Sequence, residues 1–300
     1  MNALPTTPVD LGLLTNVSVF VRREDLIHPY VSGNKFRKLK YNISELERGG
    51  HDTILTFGGA FSNHIAAVAY AGKECGIKTI GVIRGEELGS KIDENHTLSF
   101  AQSCGMKLVF VTRAEYKNKN SQRFADELQQ RFGPFYKLPE GGTNELAIKG
   151  CEEILSPTDT AYDFICASVG TGGTVAGLIR SAQKHQHVIG FSALKGQGLR
   201  EDISKFARSE DWALNTDYHF GGYAKINDDL IAFINWFSEQ NKVLLDPVYT
   251  GKMMYGLRDL IRKNYFPAGA RVLAVHTGGL QGIKGINQKL KRLNKPQINE

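Results

Sequence analysis

The 300-residue sequence predicts an α/β fold made of open, mostly parallel sheets flanked by helices. Short apolar runs alternate with segments of helical period along most of the chain, which is the pattern of strand–helix–strand units. The runs are apolar at consecutive positions, as strands buried on both faces require. Glycine-bearing loops mark the junctions between run and helix.

Taken in order, residues from Lys35 to the Gly49-Gly50 pair have helical character, and Thr53–Phe57 (TILTF) is the first clear strand. A helix, HIAAVAYAGKECG, follows the loop GGAFSN and ends at Gly76. Lys78–Ile83 is a strand, Glu94–Cys104 a helix closed by Gly105, and Lys107–Thr112 another strand. Lys117–Phe132 reads as one polar helix stopped by Gly133-Pro134, and Asn144–Leu155 as a further helix. Asp163–Val169 (DFICASV) is a buried strand and TVAGLIRSAQKH the helix after it. His187–Ser192 and Arg271–His276 complete the strands. Because the stretch 41–144 has its own alternation, it predicts a smaller domain inserted into a larger one formed by 1–40 and 145–300.

Composition narrows the function classes. Hydrophobic residues at 41% and charged residues at 23% are those of a globular chain, and no apolar run approaches the roughly 20 residues of a membrane span. The opening MNALPTTPVDLGLL lacks a basic segment followed by an apolar block, so no signal peptide is expected and the expected location is the cytoplasm. The net charge of +6 comes from cations interspersed with acids. The acid-free stretch KGINQKLKRLNKPQ reads as a solvated C-terminal helix, so no nucleic-acid partner is expected. A modest positive field suits anionic small molecules. Cys75, Cys104, Cys151 and Cys166 form no C-x-x-C pair and no metal-ligand spacing, so reduced thiols and no metal are expected.

The strongest chemical signal is SVGTGGTV, Ser168–Val175, where an apolar strand enters a glycine cluster that opens a helix. Unpaired N–H groups and the helix dipole make such a junction an anion site, and glycines let the backbone wrap a phosphate. It is neither a G-x-G-x-x-G dinucleotide fingerprint nor a P-loop. FGGAFSNH (Phe57–His64) repeats the design with Ser62, Asn63 and His64 opening the helix, either as a plain capped helix or as a pocket for a carboxylate. AVHTGG (Ala274–Gly279) is a third glycine turn at a strand's carboxyl end, where ligands of open α/β sheets bind. Lys35 sits in the first turn of a helix, at the end the dipole makes unfavourable for a cation.

Together the segments RREDL (Arg22–Leu26), SGNKFRKL (Ser32–Leu39), GGAFSNH (Gly58–His64), SVGTGGTVAG (Ser168–Gly177), DPVYTGK (Asp246–Lys252) and HTGG (His276–Gly279) resemble the 1-aminocyclopropane-1-carboxylate deaminase/D-cysteine desulfhydrase family of tryptophan-synthase-β-like (fold type II) enzymes. The resemblance spans nearly the whole chain. It implies two sheets with the active site in the cleft between domains, pyridoxal 5'-phosphate as cofactor and a homodimer. It implies Lys35, Ser62 and Tyr249 as catalytic residues, with Lys35 forming a Schiff base to the cofactor and Tyr249 lying against its ring. Gly170, Thr171, Gly172, Gly173 and Thr174 take the phosphate, Asn63 lies near the ring oxygen and Thr277 faces the pyridine nitrogen. Ser62, Asn63, His64 and Tyr223 contact the substrate.

The implied chemistry is a lyase or deaminase acting on a small amino acid, with β-elimination of D-cysteine or a similar compound to keto acid and ammonia. Alternatives are a 1-aminocyclopropane-1-carboxylate deaminase, a β-replacing enzyme, a racemase, or a non-catalytic binding protein that retains the fold. The cyclopropane deaminases carry Glu and Leu where this chain has Thr250 and Thr277, which points to the D-cysteine side. Phe61, in place of the family's usual Gln, and the segment LQGIKGINQ after HTGG depart from the pattern.

Overall fold

The computed structural model describes residues 4–300; the first three residues of the segment 1–40 lie outside the described residues. The chain runs β1 (Thr6–Val9), β2 (Ser18–Arg22), α1 (Asn34–Arg48), β3 (Thr53–Gly58), α2 (Asn63–Cys75), β4 (Lys78–Arg84), α3 (His96–Ser103), β5 (Lys107–Val111), α4 (Arg113–Lys117), α5 (Gln122–Phe132) and β6 (Tyr136–Lys137). It continues α6 (Glu145–Glu152), β7 (Phe164–Val169), α7 (Gly173–Ser181), β8 (His187–Ser192), α8 (Leu199–Ser204), β9 (Trp212–Asn215), α9 (Asp228–Asn241), α10 (Thr250–Arg262), β10 (Arg271–Val275) and α11 (Gly282–Arg292).

Two sheets result. The larger has the order β1-β2-β10-β7-β8-β9 and the smaller β5-β4-β3-β6. All pairings are parallel except that of β1 with β2, at an edge of the larger sheet. Each sheet is packed on both faces. In β7 and β10, Cys166, Val272 and Ala274 join a core with α9, α10 and α11, while Ile165, Ala167, Leu273 and Val275 join a second core with α6 and α7. In the smaller sheet Ile54 faces α2 and α3, and Leu55 and Phe57 face α5. Two-sided burial is why these strands read as unbroken apolar runs.

Several elements differ from the sequence reading. Lys117–Phe132 is broken: α4 ends at Lys117 and α5 starts after a fresh cap, Ser121, whose hydroxyl accepts from Phe124 N at 3.3 Å. The helix begun at Gly173 stops at Ser181 rather than running to His185, since Ala182 is extended. Strands β1, β2, β6 and β9 extend the set, all short and three of them (β1, β6 and β9) at sheet edges. The C-terminal helix is solvated on one side only, for Ile283, Ile286 and Leu290 are buried in the core of α9 and α10. No helix of the described residues is long and apolar enough to cross a membrane.

The segment RREDL anchors the start of α1. Glu24, fully buried, takes a bidentate pair from Arg37 with both N–O distances 2.9 Å. Asp25 takes a second pair from Arg23, and its backbone carbonyl accepts from Ser32 Oγ at 3.2 Å. The turn into α1 passes against β10's carboxyl end. Gly33 has φ +62°, and a Cβ there would lie 2.0 Å from Thr277 O, so only glycine allows the approach. Asn34 N donates to that same carbonyl at 3.3 Å.

Candidate active site

The carboxyl ends of β3, β7 and β10 and the start of α1 surround a cavity of about 340 Å³. That volume is typical of small-ligand pockets. Its walls include Lys35, Ser62, Asn63, His64, Gly170, Thr171, Gly172, Thr174, Tyr223, Tyr249 and Thr277, so eleven residues singled out in the sequence meet in one place. Gly173 lies just behind the wall, packed against Thr143 and Lys38.

Lys35 Nζ donates to Asn34 Oδ1 at 3.0 Å. Enclosure by protein pushes its pKa down to about 7, and the nearby Lys38 ammonium adds to the effect. The amine is therefore neutral in a large fraction of molecules near neutral pH, where an ordinary lysine is almost wholly charged. Lys38 is itself buried and its pKa is lowered by that burial. Its Nζ donates to Gly141 O at 3.0 Å and to Thr143 Oγ1 at 3.1 Å, at the back of the glycine loop.

The loop after β7 turns at Gly172, whose φ of +83° favours glycine, and the first turn of α7 starts at once. The N–H groups of that turn have no intrahelical acceptor. Thr174 Oγ1 accepts from Asn34 Nδ2 at 2.7 Å, tying the loop to the lysine-bearing turn. Thr171 and Thr143 share a hydroxyl contact of 2.6 Å. A helix N-terminus, a glycine turn and the Lys38 ammonium together form a cradle suited to a phosphate dianion.

Ser62 caps α2, with Oγ accepting from Ile65 N at 3.3 Å. Asn63 Oδ1 accepts from Gln281 Nε2 at 2.9 Å. His64 is 2% exposed, and its pKa is held well below the usual value by burial, then by Lys35 and Lys38. Thr56 Oγ1 uses its one proton on Leu138 O, at 2.9 Å, so it accepts from His64 Nε2 at 2.8 Å. The Nδ1 lone pair is then left bare and without a partner. In this arrangement the buried Nδ1 is an unpartnered acceptor on the Gly142 side, and Ser62 and Asn63 are the polar side chains of this turn placed to meet a carboxylate.

Thr277 Oγ1 and Ser168 Oγ are 3.2 Å apart. Tyr249 stands against the glycine loop, where a Cβ on Gly170 would lie 3.2 Å from its ring. Burial, and secondarily Tyr223, keep its hydroxyl well above the ordinary pKa, so it stays protonated. Tyr223 OH donates to Phe61 O at 3.1 Å and burial pushes its pKa up to about 12. Phe61 itself faces a neighbouring cavity and not this one. Thr250 is fully buried, bonded to Asp246, and lines neither cavity.

The sequence reading missed Asn34, Lys38, Ser168 and Gln281 as wall residues. Asn34, Lys38 and Ser168 sit inside the quoted segments, and Gln281 follows HTGG within a departing stretch, so position was the available signal. It also missed Lys252, which is 2% exposed and has its pKa pushed down to about 8 by burial. Its Nζ donates to His219 O at 2.9 Å and Gly222 O at 2.8 Å, pinning the loop that carries Tyr223. Lys252→Met is expected to raise KM roughly tenfold while kcat changes less, because the loop positions a wall and not the amine. Steady-state kinetics check this, and an unchanged KM would exclude a positioning role.

Residues 3–278 match the family described as pyridoxal-phosphate dependent enzyme. The chain is 30% identical to a D-cysteine desulfhydrase of Klebsiella pneumoniae subsp. pneumoniae, over 88% of each chain. It is 29% identical to the mitochondrial bifunctional D-cysteine desulfhydrase/1-aminocyclopropane-1-carboxylate deaminase of Arabidopsis thaliana, over 91% of this chain and 75% of the relative. A crystal structure of an ACC deaminase homologue superposes with a TM-score of 0.82 at 26% identity, covering 97% of this chain and 93% of the other.

Proposed function

The chain belongs to the pyridoxal-phosphate dependent enzyme family, and on that premise we propose that it is a lyase that eliminates the β substituent of D-cysteine or a similar small amino acid. The observation that carries the reading is the Lys35 amine, with a pKa of about 7, beside a glycine cradle for phosphate. Pyridoxal phosphate, when bound, supplies an aldehyde that condenses with amines and a conjugated ring that takes up an electron pair from the α-carbon.

The chain's own residues supply the rest. The N–H groups of Gly170–Thr174 and the Lys38 ammonium would hold the phosphate. Thr277, whose Oγ1 lies 3.2 Å from Ser168 Oγ, would face the pyridine nitrogen with a hydroxyl rather than a full charge. Ser62 Oγ and Asn63 Nδ2 hold the substrate carboxylate at the N-terminus of α2. Lys35 Nζ removes the α proton, since a base near its own pKa at neutral pH is the efficient choice. The Tyr249 hydroxyl, kept protonated, faces the cavity as a donor for the departing group. For D-cysteine the Cα–H and Cβ–S bonds break, and with one water the products are pyruvate, ammonia and hydrogen sulfide, with no net oxidation.

The test is a panel of D- and L-amino acids and 1-aminocyclopropane-1-carboxylate, given to cofactor-loaded protein. D-Cysteine is expected to release keto acid and sulfide in equal amounts. A replaced side chain, inverted chirality or keto acid from the cyclopropane substrate alone assigns the other reactions. A visible cofactor band with no product from any compound leaves only a binding protein. We further propose a homodimer, since closed two-fold symmetry is the commonest assembly, and a reducing compartment such as the cytoplasm, since all four cysteines are free. Sedimentation measures the first, and fractionation the second.

A further inference from the structure

A second cavity, of about 730 Å³, adjoins the first and shares Gly59, Arg84, Glu140 and Tyr223 with it. Its walls hold six cations, Arg84, Arg113, Lys117, Lys119, Lys225 and Lys289, against two carboxylates. Both carboxylates are taken: Glu87 by Arg113, and Glu140 by Lys119 at 3.2 Å. Among the described residues, Arg84, Lys117, Lys225 and Lys289 have no ion-pair partner. They come from the end of β4, from α4, from the loop after Tyr223 and from α11, so no single local run of sequence brings them together. Like charges gathered around one concavity repel, and a protein gains from the arrangement when an anion enters it. Phe61, Leu88 and Tyr116 give the cavity apolar wall, which focuses the field.

We propose that this cavity is the subsite for a second anionic group, so that the preferred substrate is an amino acid whose side chain ends in a phosphate, sulfonate or carboxylate. The proposal rests on the lyase reading for the reacting end and extends it at the distal end. The α-carboxylate lies at Ser62 and Asn63, and the side chain passes between Tyr223 and Arg84 to reach the unpaired cations. Arg84 is the specificity residue because it alone among the unpaired cations borders both cavities. With a phosphate ester on the β-oxygen, Lys35 takes the α proton and the Cβ–O bond breaks. Phosphate leaves with the bonding pair, and one water completes pyruvate and ammonia.

The experiment compares O-phosphoserine with O-acetylserine, a neutral compound with a comparable leaving group, as both enantiomers on the holoenzyme. For the reactive enantiomer, kcat/KM is expected to favour O-phosphoserine by at least roughly tenfold at low salt. The ratio falls severalfold between about 0.01 M and about 1 M salt, because exposed charges are screened. Arg84→Gln lowers the ratio roughly tenfold and Arg84→Lys keeps most of it, while the combined Lys117→Gln, Lys225→Gln and Lys289→Gln changes lower it as well. Calorimetric titration of O-phosphoserine, in which Kd rises in the same variants, reads the subsite without turnover. A ratio near one, or an Arg84→Gln variant that slows both compounds alike, overturns the subsite and leaves the lyase reading standing. If no compound, charged or neutral, alters the cofactor spectrum or releases keto acid, the lyase reading falls with it.

Discussion

Lys35→Ala is expected to abolish the visible cofactor band and to lower turnover by at least about 10³-fold, the combined scale of losing a covalent anchor and a general base. Lys35→Arg is expected to be just as inactive. A guanidinium stays protonated, so it can neither attack an aldehyde nor accept the α proton, although it keeps a cation on a long stem. A purely structural lysine would be rescued by that change. The same variants carry a stability signature. The amine's pKa is about 7 in the folded chain and near 10.5 unfolded, so the unfolded state holds its proton more tightly. Folding without cofactor therefore bears a penalty that is full below pH 7 and fades as pH rises from 7 towards 10.5. Lys35→Met should make the cofactor-free protein more stable at pH 6 by up to about 5 kcal/mol, with the advantage shrinking through that window. Urea unfolding at pH 6 and pH 10 measures it. A Lys35→Met protein less stable than the parent at pH 6 would show that the amine is not held where the cavity places it.

Much of the architecture is legible because of how it is buried. Strands β3, β4, β7, β8 and β10 read clearly, being covered on both faces and therefore mostly apolar between their ends. Strand β1, TTPV, does not: it is four residues long, half exposed, and contains a proline that only an edge tolerates. Strands β6 and β9 are as short and carry no periodicity. Helix α9 had its signals, an Asn227 cap and an acidic first turn, yet it follows a long loop after the short strand β9 rather than a clear apolar run. The candidate residues that line the cavity were legible through their glycine turns. Their supports were not, because the supporting contacts cross long stretches of chain. Asn34 meets Thr174 140 positions away, and Gln281 meets Asn63 across 218. Nothing in a linear pattern fixes such distances. The same limit applies to the basic cavity, whose cations look unremarkably dispersed along the sequence and gather only when the two sheets face each other.

Thr250 shows how a residue can matter to a site without touching it, and Asp246→Ala is the change expected to expose this. The Asp246 carboxylate is 1% exposed and accepts four hydrogen bonds, from Val248 N at 2.9 Å, Tyr249 N at 2.9 Å, Thr250 N at 2.7 Å and Thr250 Oγ1 at 2.7 Å. It is the cap of α10 in all but helical position, and it fixes the φ of −123° and ψ of −75° at Tyr249 that set the ring against the glycine loop. Removing it strands several buried donors together, which costs about 3–5 kcal/mol, allowing for non-additivity. Asp246→Asn is expected to cost less, about 2 kcal/mol, because one oxygen still accepts while the new amide opposes an N–H donor. Both variants should also lose roughly 10²-fold in kcat through displacement of Tyr249, and Tyr249→Phe should lose far less additional activity in the Asp246→Ala background than in the parent. Denaturant midpoints and a double-mutant cycle supply both numbers. An Asp246→Ala protein within 1 kcal/mol of the parent, or effects of the two substitutions that simply add, would mean that the carboxylate neither caps the helix nor places the tyrosine.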